Sequence, residues 1–490
     1  KLLLRKILLM VKKFHFYLLN NRYILFNTLF YFLIPSISYS HGLNVRYELP
    51  IPLYIYFLSS VFIILTTLLF SKYFINKFIK SNENIAEKHL YNNNWVGLLG
   101  FCIILFLIYV GYKGDQGPLN NIINVFIWVW FWVGFAYISI FNARFWPKVN
   151  PWFSPFSLLI KHLYQYTWIK NIKRKSTTEV RILGIFLLML FVWFAIVYPG
   201  REVPKNLSSF LIIYSVITFI GMLIYGRVRW FTYAEFFSIY FGMLGRLGIF
   251  NPFNKNRKNL IRLPFSGILM GKGNIYSAIF IIIAVSSISF DGLLETSFWY
   301  DFKLLLISTS FLIPIFKVLL SWFGNLEIIL DTLGIIFMPL FLLIFFSLSC
   351  AKGLKYFKEG YSIKKLIVLF APSLIPIAAA YHIAHYFSFL LIAGQLAFPL
   401  LSDPLNLGWN LFGTVDYKVN PYIINAKIGW SVILFVVILG HIASIIISQK
   451  IAYTLVVNKK NAIKAHLPLS FFMILYTIFS LWILSEPIVH

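Results

Sequence analysis

The chain has 490 residues, of which 60% are hydrophobic and only 12% are charged. A soluble protein carries about a quarter charged residues, and a chain of this length cannot bury so much apolar surface in a soluble fold. The composition therefore excludes a soluble protein and predicts an integral membrane protein whose main partner is the lipid bilayer. The net charge of +27 gathers in loops between apolar runs, as the positive-inside rule requires, so we expect no binding of nucleic acid.

The first predicted element is a cleavable signal peptide. Arg22 and upstream lysines precede an apolar stretch, and Ser38 and Ser40 place small residues before a cleavage site at His41. We predict that residues 1–40 are upstream residues and signal peptide, and that residues 41–490 form one polytopic transmembrane domain. The mature amino group and the imidazole of His41 would chelate Cu(II); alternatively, the terminus lies merely where cleavage falls.

Apolar runs of about 20 residues, long enough to cross a bilayer, fill the rest of the chain. They lie near 51–71, 95–112, 122–142, 181–199, 208–225, 273–290, 328–349, 371–398, 427–449 and 468–486. The run 303–322 contains Pro314 and Lys317 and is predicted to be a re-entrant or interfacial helix. The predicted fold class is an all-α integral membrane protein with about ten transmembrane helices plus this one partial helix.

Loop charge predicts the orientation of the chain in the membrane. Lysines and arginines follow the first, third and fifth spans, and such loops are cytoplasmic. The alternate loops carry the acidic residues Asp115, Glu202, Asp291, Glu295 and Asp301. We therefore predict a bacterial inner (cytoplasmic) membrane protein whose mature amino and carboxyl termini are both periplasmic.

Three histidines lie inside predicted spans, where ionisable residues are rare and usually functional. His382 and His385 are three residues apart and share a helix face, and His441 lies in the 427–449 run. Together with a carboxylate they would suit a transition metal such as Cu or Zn. Their depths agree only if the ninth span begins near residue 371. Interhelical hydrogen bonding and a proton or substrate path are the alternatives.

Four carboxylates complete the candidate site. Glu327 and Asp331 open the eighth span four residues apart, so they share a helix face, and they are candidate metal ligands near the outer surface. Asp403 and Asp416 lie in a turn-rich loop between the two histidine spans. With Trp409 they would form a lid over the pocket as candidate catalytic residues, or an ordinary interfacial turn with an aromatic anchor.

Several runs of the sequence resemble one known group of proteins. They are His41-Gly42-Leu43 with Arg46, Leu49-Pro50-Ile51-Pro52, Ala234 through Gly242, Tyr381 through Tyr386, Gln395, Ser402-Asp403-Pro404 and Gly413 through Tyr417. These runs resemble a bacterial polytopic membrane family labelled "fenitrothion hydrolase", and the resemblance covers nearly the whole chain from the signal peptide onward. It implies hydrolysis of an organophosphate triester, with His382, His385 and His441 holding a metal and Asp403 or Asp416 orienting water.

Three functions remain open at the level of the sequence. The first is a membrane-embedded, metal-dependent hydrolase of apolar, organophosphate-like esters with an outward-facing histidine site. The second is a copper-handling protein that receives the metal at His41 and passes it to the membrane histidines. The third is a transporter or an accessory subunit. The sequence contains no GxxxxGK[ST], GxSxG or HExxH motif, so phosphate-driven pumping and zincin or α/β-hydrolase chemistry lack support.

Overall fold

The computed structural model describes residues 95–163 except Arg144, 176–250, 264–269, 273–458 and 461–486, together with scattered residues between 52 and 67. The predicted signal peptide, His41 and most of the predicted first span lie outside the described residues.

Nine helices of the described part are long and apolar enough to cross a membrane. They are α1 (Trp95–Lys113), α2 (Ile122–Phe141), α3 (Thr177–Ile196), α4 (Pro204–Tyr225), α5 (Ile275–Leu294), α6 (Leu326–Tyr356), α7 (Ile363–Ser402), α8 (Ala426–Leu455) and α9 (Ala462–Ser485). Shorter helices cover Phe145–Val149, Phe153–Leu163, Arg227–Tyr233 and Phe236–Leu244. The prediction of an all-α polytopic membrane protein is confirmed.

The centre of the bundle is formed by α5 and α7, which are the most enclosed of the nine helices. Helix α8 packs along α7, α9 packs along α8 and α6, and α1 pairs with α4 at the other side. Helix α7 begins eight residues before the predicted run, at Ile363. Pro372 and Pro376 each lie in the first turn of a new helical segment, where a missing N–H group is tolerated, so the helix continues through both prolines.

Contacts between loops define two faces of the bundle. On the face that we call the Asp403 face, the Asn406 amide donates to Asp115 Oδ2 at 3.2 Å. On the opposite face, here the Gly360 face, the Lys358 N–H donates to the Leu455 carbonyl at 3.2 Å. The basic residues Lys352, Lys355, Lys358, Lys364 and Lys365 belong to the Gly360 face, at the end of α6 and the start of α7.

The predicted partial helix over 303–322 is a bent pair, Ser297–Ser308 and Ile313–Trp322, whose axes meet at 104°. At its start, the Trp299 indole donates to Asp331 Oδ1 near the beginning of α6 at 2.8 Å. The bent pair is therefore held at the Asp403 face beside the start of α6, and the re-entrant or interfacial helix stays a prediction. Lys303 lies 2.7 Å from Glu327 Oε1 and 3.5 Å from Asp331 Oδ1. The two predicted metal carboxylates thus anchor the bent pair.

Close packing of α8 on α7 depends on Gly440. A Cβ atom at this position would clash with the Ala380 side chain and lie 2.7 Å from the Pro376 carbonyl oxygen. We expect Gly440→Ala to lower the free energy of unfolding by about 1–3 kcal/mol, because the added methyl group forces the helices apart.

The measurement is thermal unfolding of detergent-purified protein. Gly242→Ala is the matched control, because a Cβ atom there meets nothing within 4 Å, and alanine favours a helix more than glycine does. An unchanged melting temperature for Gly440→Ala would contradict this packing.

Candidate functional site

The candidate site joins the two central helices through one carboxylate. Helix α5 supplies Asp291, three residues before its end, and α7 supplies His385 and Tyr386. Asp291 Oδ2 lies 3.1 Å from His385 Nε2, and it accepts a hydrogen bond from the Tyr386 hydroxyl at 2.6 Å. We call these three residues the Asp291 cluster.

Gly292 lets α7 approach α5 at this level. A Cβ atom at position 292 would lie 2.9 Å from the Tyr381 hydroxyl oxygen and 3.5 Å from His385 Cε1. The Cβ atom would also lie 2.7 Å from Ile483 Cγ2 of α9, so a larger residue would crowd α9 and the Tyr381 hydroxyl of α7.

The hydrogen bonds to Asp291 determine which His385 nitrogen is free to act. A carboxylate only accepts, so His385 Nε2 carries the proton in this pair. The buried Nδ1 atom then bears the lone pair, and it has no hydrogen-bond partner among the described residues. The Asp291 side chain is 24% exposed and that of His385 is 6% exposed. The cluster is therefore mostly enclosed by protein.

His382 lies one helical turn deeper, inside a cage of aromatic rings. Its ring centroid is 5.4 Å from Trp132, 5.9 Å from Tyr240 and 4.9 Å from Tyr386. Its Nδ1 atom lies 3.0 Å from the Tyr240 hydroxyl oxygen. Trp132 belongs to a π-helical stretch of α2, Val125–Gly134, a conformation that is frequent at functional sites.

Tyr240 is positioned by a helix that begins at a buried carboxyl group. Glu235 caps Phe236–Leu244 and accepts from the Phe237 and Ser238 N–H groups at 2.9 and 2.8 Å. Its carboxyl oxygens are also bonded to the hydroxyls of Tyr214 and Ser238. The segments 234–242 and 381–386, which carried the sequence resemblance separately, therefore meet at the Tyr240–His382 contact.

His441 is not part of this arrangement. It is buried in α8, where its Nδ1 atom bonds to the Val437 carbonyl oxygen of the same helix at 2.8 Å. Counted from the helix ends at the Gly360 face, His382 is about 29 Å deep and His441 about 21 Å deep at 1.5 Å per residue, because α7 begins at Ile363. The structure therefore has the earlier start of this span, with which the depths of the two histidines do not agree.

The predicted metal ligands do not form one set. Among the described residues, no group of three or more His, Cys, Asp or Glu side chains is placed to hold a metal ion. His382 is engaged by Tyr240, His385 by Asp291, and Glu327 with Asp331 by Lys303. His41 lies outside the described residues. We therefore assign no chemical step to a metal here, and the Cu or Zn site stays a prediction.

Asp403 organises the loop that follows α7. Its Oδ1 accepts from the Leu407 N–H at 2.9 Å, and its Oδ2 accepts from the N–H groups of Gly408 and Trp409 at 2.7 and 3.1 Å. Desolvation acts to raise the pKa of Asp403, but these backbone bonds outweigh it and hold the pKa below its ordinary value. Asp416 is exposed in the same loop. The candidate catalytic role of both residues stays a prediction.

The predicted turn is also held to the end of α7 by side chains. Gln395 Oε1 accepts from the Tyr417 hydroxyl at 2.9 Å and from the Asn420 N–H at 3.0 Å. The Ser402 hydroxyl oxygen accepts from the Phe412 N–H at 3.0 Å. Gln395, Ser402 and Tyr417 belong to the runs that carried the resemblance, and their role in the structure is to shape this loop.

Sequence analysis missed Asp291 and Tyr240 as site residues. Asp291 was assigned to a loop because the apolar run ends at Phe290, whereas α5 continues to Leu294. Asp291 and His385 are 94 residues apart in the sequence, and Tyr240 and His382 are 142 residues apart. Contacts between residues so far apart give no recognisable spacing pattern in the sequence.

Comparison of the chain with protein-family models, with curated proteins and with solved structures gives no match. The fold and the site define the class of protein: a helical, membrane-spanning protein with an enclosed carboxylate–histidine–tyrosine cluster.

We expect Asp403→Ala to release the amides of residues 407–409, because their acceptor is removed. Hydrogen–deuterium exchange of this segment should accelerate, whereas Asp416→Ala, at an exposed position of the same loop, should leave it unchanged. Equal protection in both variants would show that the carboxylate of Asp403 does not hold the loop.

The same loop should respond to acid. The pKa of Asp403 is lower in the folded loop than the value of about 3.9 in an unfolded chain. The ionised carboxylate therefore stabilises the loop fully at pH values above about 3.9. This stabilisation is lost as the pH falls through the folded-state pKa. Exchange protection corrected for intrinsic rates should therefore persist at about pH 5 and decline below about pH 3.9. Loss already near neutral pH would contradict this assignment.

Proposed function

We propose that this membrane protein exchanges protons with a small ligand at the Asp291 cluster, with His385 as the general base. The observation that supports this most strongly is the 3.1 Å contact of Asp291 with His385 Nε2. This contact joins two spanning helices, and His385 Nδ1 is left without a partner among the described residues. An ionisable pair at such a position is expensive to keep and usually functional.

The chemistry follows from the orientation of the imidazole. Asp291 accepts the Nε2 proton and so leaves Nδ1 as the proton acceptor. When Nδ1 takes up a proton, the imidazolium is balanced by the neighbouring carboxylate. The Tyr386 hydroxyl, bonded to the same Oδ2 atom, keeps the carboxylate in place while His385 changes its charge.

The ligand is proposed to enter from the Asp403 face, which we propose to be the periplasmic side of a bacterial inner membrane. The basic side chains at the Gly360 face support this orientation, because cytoplasmic loops are enriched in lysine and arginine. Asp291 lies near the end of α5 at the Asp403 face, so the path from that side is the shorter one.

Hydrolysis of an apolar ester is the proposed reaction. The resemblance of the segments 234–242 and 381–386 to a family labelled as an organophosphate hydrolase supports it, and the two segments are in contact at the site. In this reaction His385 removes a proton from a water molecule, whose oxygen attacks the ester, and the leaving group takes up a proton. A bound Cu or Zn ion, as in the metal-dependent form of the hypothesis, would supply a Lewis acid.

Proton-coupled transport is the second candidate. The observation that favours it is that Asp291 and His385 belong to different spanning helices. Protonation of either group therefore changes the strength of a contact between α5 and α7, which is what coupling of proton binding to helix movement requires.

The hydrolase proposal predicts that Asp291→Asn and His385→Gln lower the turnover of a chromogenic phosphotriester or carboxylic ester. We expect a loss of kcat of roughly 10²–10⁴-fold, the usual contribution of a positioned acid–base group. Tyr386→Phe should cause a smaller loss, because Asp291 keeps its contact with His385.

The assay uses detergent-purified, full-length protein at several pH values. Asp301→Asn is the matched control, because Asp301 is an exposed carboxylate that follows α5 on the same face. Unchanged turnover in Asp291→Asn would overturn the role of the cluster. If neither the wild type nor any variant hydrolysed the ester, but a pH gradient drove solute uptake, transport would be favoured.

Elemental analysis of the same preparations tests the metal-dependent form and copper handling. If the wild type contained near-stoichiometric copper or zinc and the His382→Ala/His385→Ala variant lost it, catalysis would be assigned to the bound metal. The identity of the metal would then separate a hydrolase from a copper-handling protein.

A further inference from the structure

A second buried polar cluster lies between α8 and α9. His466 Nε2 is 2.6 Å from the Ser448 hydroxyl oxygen, and His466 Nδ1 is 2.8 Å from the Ser470 hydroxyl oxygen. All three side chains are buried. Both ring nitrogens therefore have a hydroxyl partner that can both donate and accept a hydrogen bond. We call these residues the His466 cluster.

The His466 cluster and the Asp291 cluster lie at opposite ends of the bundle. His466 is four residues from the start of α9, or about 6 Å along the helix. A Cβ atom at Gly353, near the end of α6, would clash with the neighbouring Ala465 carbonyl oxygen, which places this level at the Gly360 face. Asp291 lies about 5 Å from the other end of α5, at the Asp403 face.

Polar side chains occupy the levels between the two clusters. On α8, His441, Ser444 and Ser448 are spaced three and four residues apart and so share one face. The Ser444 hydroxyl donates to the Ser373 carbonyl oxygen of α7 at 2.6 Å, and the Ser448 hydroxyl donates to the Ser444 carbonyl oxygen at 2.7 Å. Further towards the Asp403 face, the hydroxyls of Tyr476 and Ser289 are hydrogen-bonded to each other.

Two buried polar atoms on α8 have no protein partner within the described part of the chain. They are His441 Nε2 and Gln449 Oε1, in side chains that are 1% and 2% exposed. An unsatisfied buried polar atom costs free energy, so it calls for an explanation beyond helix packing. Both atoms lie on the helix that carries Ser448, and each can accept a hydrogen bond.

We infer that a proton path crosses the bilayer from the His466 cluster to the Asp291 cluster, along the polar faces of α8 and α9. This inference rests on the proposed proton exchange at Asp291. His466 takes up a proton on one ring nitrogen and releases one from the other. Each hydroxyl first turns away from the backbone carbonyl that accepts its hydrogen bond at rest, and then takes up one proton on its oxygen and releases another. One proton therefore moves across and every group returns to its initial charge. Water molecules carry the proton where no direct hydrogen bond joins the groups.

The test uses full-length protein in liposomes of phosphatidylcholine and phosphatidylglycerol that contain a pH-sensitive dye. A potassium diffusion potential, negative inside, drives protons inward. We expect wild-type liposomes to acidify and His466→Gln to slow the flux by roughly 100-fold, the lower end of an acid–base contribution. Glutamine can retain bonds to Ser448 and Ser470 but cannot relay a proton, so this variant should stay folded.

Ser448→Ala should also slow the flux, whereas Ser431→Ala, at an exposed position of the same helix, is the matched control. Wild-type flux in His466→Gln would overturn the path and leave His466 as an interhelical hydrogen bond. No flux in wild-type protein would overturn it as well. Ester turnover of His466→Gln in detergent is measured in parallel. Turnover that depends on Asp291 without any proton flux would leave the proposed function intact and reject only the path.

Discussion

The free-energy cost of placing a carboxylate inside a lipid bilayer governs how this protein is built. An ionised group in hydrocarbon needs partners that replace water, and Asp291 finds them on the neighbouring helix in His385 and Tyr386. This need brings α5 and α7 together at the centre of the bundle. Next to Asp291, Gly292 leaves room for Ile483 of α9 and for the Tyr381 hydroxyl of α7. Helix α8 then packs on the other side of α7 through Gly440.

The same requirement explains most other polar side chains of the described part. Lys303 is paired with Glu327 and Asp331 and so connects the bent pair to α6. Asp403 accepts hydrogen bonds from backbone N–H groups of its loop. Each of these groups therefore has a partner within the fold. The atoms left without a protein partner on His385, His441 and Gln449 are the better candidates for chemistry. This distinction is the physical basis for placing the function at the Asp291 cluster and for the path that approaches it.

Much of the fold could be predicted because helix length and loop charge are local properties. The apolar runs predicted the nine described spans, and Pro314 and Lys317 marked the segment 303–322, which the structure shows as a bent helix pair. The site could not be predicted in the same way. The three histidines could meet only if the ninth span began near residue 371, but α7 starts at Ile363 and Gly440 sets the register of α8. Contacts across 94 or 142 residues, such as Asp291–His385 and Tyr240–His382, depend on helix packing that no local pattern encodes.

The most direct test of the central claim is a double-mutant cycle on stability between Asp291 and His385. The free energy of unfolding of wild type, Asp291→Asn, His385→Gln and the double variant would be measured in the same detergent. Residues in direct contact should show a coupling energy of about 0.5–3 kcal/mol. We predict a value in this range. Additive effects of the two substitutions would show that Asp291 and His385 do not interact, and would remove the basis of the site proposed here.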